Sequence, residues 1–221
     1  MVASGTGVCV ICSANEVGAM LKKAAVGLGF PVGLATDVAA AGVWLSTQGL
    51  DGVEAVLAGI GQGFVPDFGW DADGPVIHLC EAAIGRCGVS LFELLATGEV
   101  EVAVVEDADS PLLLIGLAGV VARATGVGFE LSAGIGSPIA VTANAVRSPE
   151  ELGGSLIGRS IRIVAADGAG GEAHADTAPI VGIEVAEPQW ALVSELAART
   201  NVPATDLSRR AGAGALLDDN D

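Results

Sequence analysis

Apolar positions recur at helical spacing through the first quarter of the chain. Ser13 and Glu16 stand three residues apart, the spacing of a capping box, and the apolar residues that follow repeat every three or four positions. A second periodic segment begins after Pro31, and Asp51 stands where it can cap a third, shorter helix. Residues 13–60 are therefore predicted to form a three-helix unit.

The middle of the chain mixes helical and alternating patterns. The run "PVIHLCEAAIG" fits either a helix or a buried strand, because short apolar runs do not distinguish the two. Ser90 and Glu93 repeat the capping-box spacing and predict a helix that starts at Ser90. The run "EVEVAVVE" alternates with period two and predicts a strand, and a helix is predicted over 111–125.

The last third of the chain is rich in strand-like pieces separated by turn residues. A helix over "EPQWALVSELAART" follows them, with Pro188 in its first turn, where a missing N–H costs nothing. The strand-like pieces are "VGFELSAG", "PIAVTANAV", "SIRIVAAD" and "APIVGIEVA".

A helical front half and a strand-rich back half predict an α+β fold, or a mixed α/β fold. We expect a single domain over 1–221, with a helical lobe at 13–60 and a mixed strand and helix lobe at 76–221. Aromatic residues make up only 4% of the chain and tyrosine is absent, so the core must be built mainly from Ala, Val, Leu and Ile.

Residues 61–75, "GQGFVPDFGWDADGP", have the composition of a loop with three aromatic side chains in it. Aromatic residues in a loop usually hold it against the core. The alternative is a lid over a pocket, and the sequence leaves both readings open.

The charge balance bears on the partners of the protein. Twenty-seven acidic residues face only 10 basic ones, which gives a net charge of −17. Such a field repels nucleic acids and anionic lipid, and the pairs Lys22/Lys23 and Arg209/Arg210 are too small to form a nucleic-acid footprint. The start lacks a signal-peptide pattern, and no apolar run is long enough for a membrane span. We expect a soluble cytoplasmic protein without a nucleic-acid or membrane partner.

The cysteines offer a zinc or redox hypothesis. Cys9 and Cys12 have C-x-x-C spacing, and His78, Cys80 and Cys87 form a second group. The residues between the first pair are apolar, and the second group lacks the spacing of a zinc knuckle. Cysteine in apolar runs behaves as a small hydrophobic residue, so we favour structural thiols and predict no metal site.

Two histidines are candidates for acid/base chemistry. His78 has Glu81 as an i,i+3 neighbour, which can orient the imidazole if the segment is helical. His174 has Glu172 and Asp176 at strand spacing, which places all three on one face as a metal or acid/base patch, or else at a solvated strand end.

The acidic run 106–110, "EDADS", lies between a predicted strand and a predicted helix. Carboxylates there can belong to a site or cap the helix, and we favour capping. The chain contains no nucleophile elbow, no Walker A sequence and no dinucleotide fingerprint in the required context.

Two stretches resemble a bacterial domain family of unknown function. An Asn-Glu pair, here Asn15 and Glu16, opens the first helix of that family, and a VP…SR…GAGA…DND pattern, here within 202–221, closes the chain. The resemblance covers both ends of the chain. It implies no activity, cofactor or catalytic residue, but it indicates that the C-terminal tail is more than a frayed end.

The favoured functional hypothesis is the binding of a small anionic metabolite, by an enzyme of small-molecule catabolism or its accessory subunit. Arginine suits bidentate capture of carboxylate or phosphate. The candidate ligand-binding residues are Glu16, His78, Arg199, Ser208 and Arg209.

An alternative hypothesis is a non-catalytic structural or interaction subunit that forms homo- or hetero-oligomers, since flat alanine-rich helices suit association. The cysteine-based zinc or redox protein is the third. The sequence specifies no cofactor, and it leaves open whether the protein is an enzyme.

Overall fold

The computed structural model describes residues 8–63, 71–134, 138–147, 160–166 and 182–201. These ranges contain six helices, and an α+β fold is confirmed. The helices are α1 (Ala14–Gly27), α2 (Val32–Thr47), α3 (Gly52–Ile60), α4 (Ile84–Thr97), α5 (Pro111–Thr125) and α6 (Glu187–Ala198). No helix in these ranges combines the length and the hydropathy that a bilayer span requires.

The same ranges contain nine strands in two sheets. A seven-stranded sheet has the order β2-β3-β4-β8-β5-β6-β7, and β1 pairs with β9 in an antiparallel ribbon. The strands are β1 (Cys9–Cys12), β2 (Asp71–Asp73), β3 (Val76–Leu79), β4 (Val102–Val105), β5 (Gly128–Ala133), β6 (Ile139–Val141), β7 (Val146–Arg147), β8 (Ile161–Ala166) and β9 (Ile183–Ala186).

The large sheet is mixed, and among its described strands one pair is parallel. β3 and β4 run parallel with α4 between them in the chain, while the other pairs of this sheet are antiparallel. Alternate residues of β3, β4 and β8 are buried, so one face of the sheet is covered and the other is more open.

The three predicted helices are present, and α1 and α3 start where their capping residues place them, whereas α2 starts after Pro31 without a side-chain cap. The backbone N–H of Glu16 donates to Oγ of Ser13 (3.1 Å), and that of Glu54 donates to Oδ1 of Asp51 (2.9 Å). Each bond satisfies an N–H that has no partner within its helix.

The predicted start of the fourth helix was wrong. α4 begins at Ile84 instead of Ser90, because Oδ1 of Asp109 accepts a hydrogen bond from the backbone N–H of Ile84 (2.9 Å). The ambiguous run before it forms β3 and a short turn. Glu81 lies in that turn with a φ of 50°, so His78 and Glu81 are not helical neighbours.

The core is aliphatic, with a few large aromatic side chains at its centre. Phe92 and Phe129 pack edge to face with ring centroids 4.8 Å apart, and Trp44 is only 2% exposed. α5 approaches α2 closely because Gly119 faces the indole of Trp44. A methyl group on Gly119 would lie 2.6 Å from Cδ2 of that ring, which is too close for a carbon contact.

We predict that Gly119→Ala lowers the free energy of unfolding by about 1–3 kcal/mol, because the added methyl group forces α2 and α5 apart. Urea unfolding of the two proteins measures the difference. The control is Gly33→Ala in α2, where an added methyl group meets nothing within 4 Å. That variant should be neutral or up to about 1 kcal/mol more stable. Equal stability of Gly119→Ala and the wild type would contradict the packing account.

Candidate functional site

A cleft of about 370 Å³ lies between α1 and α2, beside the end of α5. α1 contributes Asn15, Gly18 and Lys22 from one helical face, since positions three, four and seven apart lie above one another. α2 contributes Thr36 and Thr47 in the same way from its own face. The amphipathic spacing of the two helices therefore places amide, hydroxyl and ammonium groups around a shared space.

Arg123 joins the cleft from the last turn of α5. Its Nη2 donates to the carbonyl oxygen of Ala143 (3.4 Å), which also accepts a hydrogen bond from Nε1 of Trp44 (3.0 Å). Ala143 lies in the turn between β6 and β7. The shared carbonyl holds the guanidinium of Arg123 beside the buried indole that forms part of the cleft wall.

The cleft is positively charged in a protein that is strongly negative overall. Lys22 and Arg123 are two of the chain's 10 basic residues, whereas no carboxylate is among the side chains that line the cleft. Neither cation has an ion-pair partner in the described parts of the chain. Two cations that face the same space without acidic neighbours favour the binding of an anion.

A second cleft, of about 380 Å³, has the opposite character. It lies between the turn that joins α2 to α3 and the strand β9, and its charged residues are Asp51 and Glu184. Asp51 is already engaged, because its Oδ1 caps α3 and its Oδ2 accepts a hydrogen bond from Nε2 of Gln189 (3.0 Å). Asp51 therefore has a structural role in this second cleft. We take the α1–α2 cleft as the candidate site.

The structure separates the three described residues that the sequence predicted as ligand contacts. Glu16 is exposed in the first turn of α1, and His78 is exposed on β3. Arg199 follows α6 and pairs with Glu195 (3.5 Å), near Gly27 at the far end of α1. None of the three lines the α1–α2 cleft.

Several predicted features lie outside the described residues. Ser208 and Arg209 are among them, as are His174 with its two acidic neighbours and most of the 61–75 loop. Their roles stay predictions, and so does the choice between a lid and a strap for the loop.

The described cysteines do not assemble into a metal centre. No group of three or more His, Cys, Asp or Glu residues within the described ranges could hold a metal ion. Cys12 and Cys87 are buried, Cys9 and Cys80 are exposed, and no disulfide joins any of the four. Cys80 Sγ lies 3.6 Å from Oε2 of Glu106.

The acidic run 106–110 serves to cap helices. Ser110 is buried, and its Oγ accepts from the N–H of Leu113 (3.3 Å) at the start of α5 while donating to the carbonyl of Ala55 (2.8 Å). Asp109 caps α4, and desolvation raises the pKa of its carboxyl group. The predicted cap on α5 is present, but Ser110 provides it, and the carboxylate of Asp109 caps α4 instead.

Sequence reasoning missed the two cations of the cleft. In the sequence Lys22 and Lys23 form an adjacent basic pair, but their side chains lie on different faces of α1, and of the two Lys22 lines the cleft. The signal for Lys22 is its seven-residue spacing from Asn15. Arg123 has no such signal, because tertiary packing of α5 brings it to the cleft.

Comparison with known families confirms the resemblance to a family without an assigned function. Residues 12–63 match the family described as "Protein of unknown function (DUF3726)", and the C-terminal pattern within 202–221 lies outside this match. The matched segment contains every residue that lines the cleft except Arg123. No curated protein shows a significant match to the chain.

Among solved structures, the chain is similar to malate dehydrogenase from Entamoeba histolytica. The TM-score is 0.41 at 12% identity, over 61% of this chain and 44% of that chain. The alignment thus spans less than half of the dehydrogenase, and a likeness this distant indicates no function.

We predict that Cys87 resists alkylation in the folded protein at neutral pH, whereas the exposed Cys80 reacts. Burial, followed by the charge of Asp109, raises the pKa of the Cys87 thiol to about 11, so almost no reactive thiolate forms at neutral pH. Iodoacetamide labelling followed by peptide mass spectrometry measures both sites. All four cysteines should react in denaturant, which serves as the control. Equal labelling rates for Cys80 and Cys87 in the native protein would revive a redox role for Cys87.

Proposed function

We propose that this protein binds a small anionic metabolite in the α1–α2 cleft, as an enzyme of small-molecule catabolism or its accessory subunit. The observation that carries the proposal is the pair Lys22 and Arg123, which line one cleft without an acidic residue among its lining side chains. In a chain of net charge −17 carboxylates are abundant, yet neither of these two cations forms an ion pair with one in the described parts of the chain. An anionic ligand would compensate both cations at once.

The size and the lining of the cleft support a small ligand. Its volume of about 370 Å³ falls within the usual range for pockets that bind small molecules. Asn15 adds an amide beside the two cations, and alanine and valine side chains form much of the remaining wall. The hydroxyls of Thr36 and Thr47 are polar but donate to the backbone carbonyls of Val32 (2.7 Å) and Trp44 (2.6 Å). A few polar groups on an apolar wall are the typical composition of a small-molecule site.

The five contacts that the sequence suggested are proposals separate from the cleft. They are Glu16, His78, Arg199, Ser208 and Arg209. Glu16 is exposed in the first turn of α1 and does not line the cleft, so its alanine variant would test for a contact outside the cleft. His78 and Arg199 lie on other elements, and their alanine variants would test for a second contact region.

One observation favours the alternative of an interaction subunit. Two strongly exposed apolar residues lie at β1, Val8 immediately before the strand at 67% and Ile11 within it at 72%. Exposed apolar side chains on a strand that ends a two-stranded sheet suit association with another chain. Subunit mass in a native mass spectrum tests this alternative, because a stable monomer would argue against it.

We predict that isothermal titration calorimetry against carboxylates, phosphate and sulfate detects binding, and that Lys22→Ala and Arg123→Ala each weaken it. Loss of one charged hydrogen bond corresponds to about a tenfold decrease in affinity or more. Binding should weaken as salt is added, because screening reduces the attraction between exposed charges.

The matched control is Lys23→Ala, which removes the same charge one residue away from a side chain that does not line the cleft. Its affinity should equal that of the wild type. If Lys23→Ala weakened binding as much as Lys22→Ala, the effect would reflect net charge and the cleft would lose its role. Far-UV circular dichroism confirms that each variant is folded.

A further inference from the structure

We infer that the ligand of the α1–α2 cleft is an elongated dianion, a small molecule with two anionic groups at opposite ends of an apolar linker. The inference rests on the proposed function and adds the shape and charge of the ligand. It follows from where the two cations lie along the cleft.

α1 and α2 run antiparallel, which fixes the levels of their side chains. A methyl group on Gly18 would lie 3.3 Å from Cγ2 of Val43, and a methyl group on Gly42 would lie 2.8 Å from Cδ1 of Leu21. As residue numbers increase along α1, the numbers of the residues that they face on α2 therefore decrease. This order allows each lining residue to be assigned to one end of the cleft.

Lys22 and Arg123 belong to different ends. Lys22 is one turn beyond Gly18 on α1, on the side away from the N-terminus of the helix. Arg123 and Trp44 both donate to the carbonyl oxygen of Ala143, which holds Arg123 beside Trp44. Trp44 follows Val43 in α2 and therefore lies near the level of Gly18. Gly18 and Lys22 are four residues apart along α1, so the two backbone levels differ by about 6 Å at 1.5 Å per residue.

The wall between these ends is apolar and the ends are polar. Asn15 and Thr47 lie at the end that Arg123 reaches, and Thr36 lies at the end of Lys22. The intervening side chains cannot donate hydrogen bonds, so a charged or hydroxylated centre placed there would be desolvated without a partner. The apolar residues that line the α1 and α2 walls include Gly18, Ala19, Ala39, Ala40 and Val43.

This arrangement distinguishes a dianion from a compact anion. A single phosphate or carboxylate can contact one end only and leaves the cation at the other end without a partner. A molecule with an anionic group at each end and methylene groups between them satisfies both cations and covers the apolar wall. The shared chemistry is two separated negative charges, which a dicarboxylate, a phosphonocarboxylate or a sulfocarboxylate all provide.

Calorimetry with a length series tests the inference. The ligands are straight-chain dicarboxylates from malonate to suberate, monocarboxylates with the same number of carbon atoms, and inorganic phosphate. We expect affinity to peak at a diacid longer than malonate and to exceed that of the matched monocarboxylate by about tenfold or more. 3-Phosphonopropionate and 3-sulfopropionate then show which anionic group each end prefers.

The two charge-removing variants separate the ends. For the best diacid, both Lys22→Ala and Arg123→Ala should weaken binding by about tenfold or more. For the matched monocarboxylate, only one of the two variants should have an effect, because that ligand occupies one end. Lys23→Ala should leave both ligands unaffected.

Two outcomes would overturn the inference in different ways. If phosphate binds as tightly as any diacid and both variants weaken it, the two cations converge on one group, and the proposed function survives without the dianion. If no anion binds to the folded wild-type protein, the proposed function fails together with the inference.

Discussion

Close approach of helix backbones is the constraint on which the rest of this structure depends. Aromatic residues are only 4% of the chain, so short side chains must fill the interior and the packed helices must lie near one another. Gly116 and Gly119 on α5 allow this by admitting Leu45 and Trp44 of α2. α2 in turn supports α1, and the cleft is the space that these closely packed helices leave at the surface.

The scarcity of basic residues gives the cleft its character. Acidic residues outnumber basic ones by 27 to 10, and Arg199 pairs with Glu195 at the surface (3.5 Å). Such exposed pairs contribute little to stability. Lys22 and Arg123 differ because the walls around them are built from alanine, valine and neutral polar side chains, which leaves their positive potential uncompensated within the cleft.

The sequence was sufficient wherever the deciding partner lies nearby in the chain. The caps at Ser13 and Asp51 could be predicted because each bonds an N–H three residues on. The start of α4 could not, because its cap is Asp109, 25 residues downstream of Ile84. The sequence does not indicate the role of Arg123 for the same reason, because tertiary packing brings it to a cleft formed by residues far away in the chain. A sequence pattern shows helix faces, but it does not show which distant side chain reaches them.

The carbonyl oxygen of Ala143 has a consequence for how the cleft responds to a ligand. It accepts hydrogen bonds from both the guanidinium of Arg123 and the indole of Trp44, and a carbonyl oxygen has two lone pairs for this purpose. If an anion draws Arg123 away, Trp44 still satisfies the acceptor and the core keeps its contact with the turn. Arg123 is thus an exchangeable donor, whose transfer to a ligand leaves no orphaned polar atom behind.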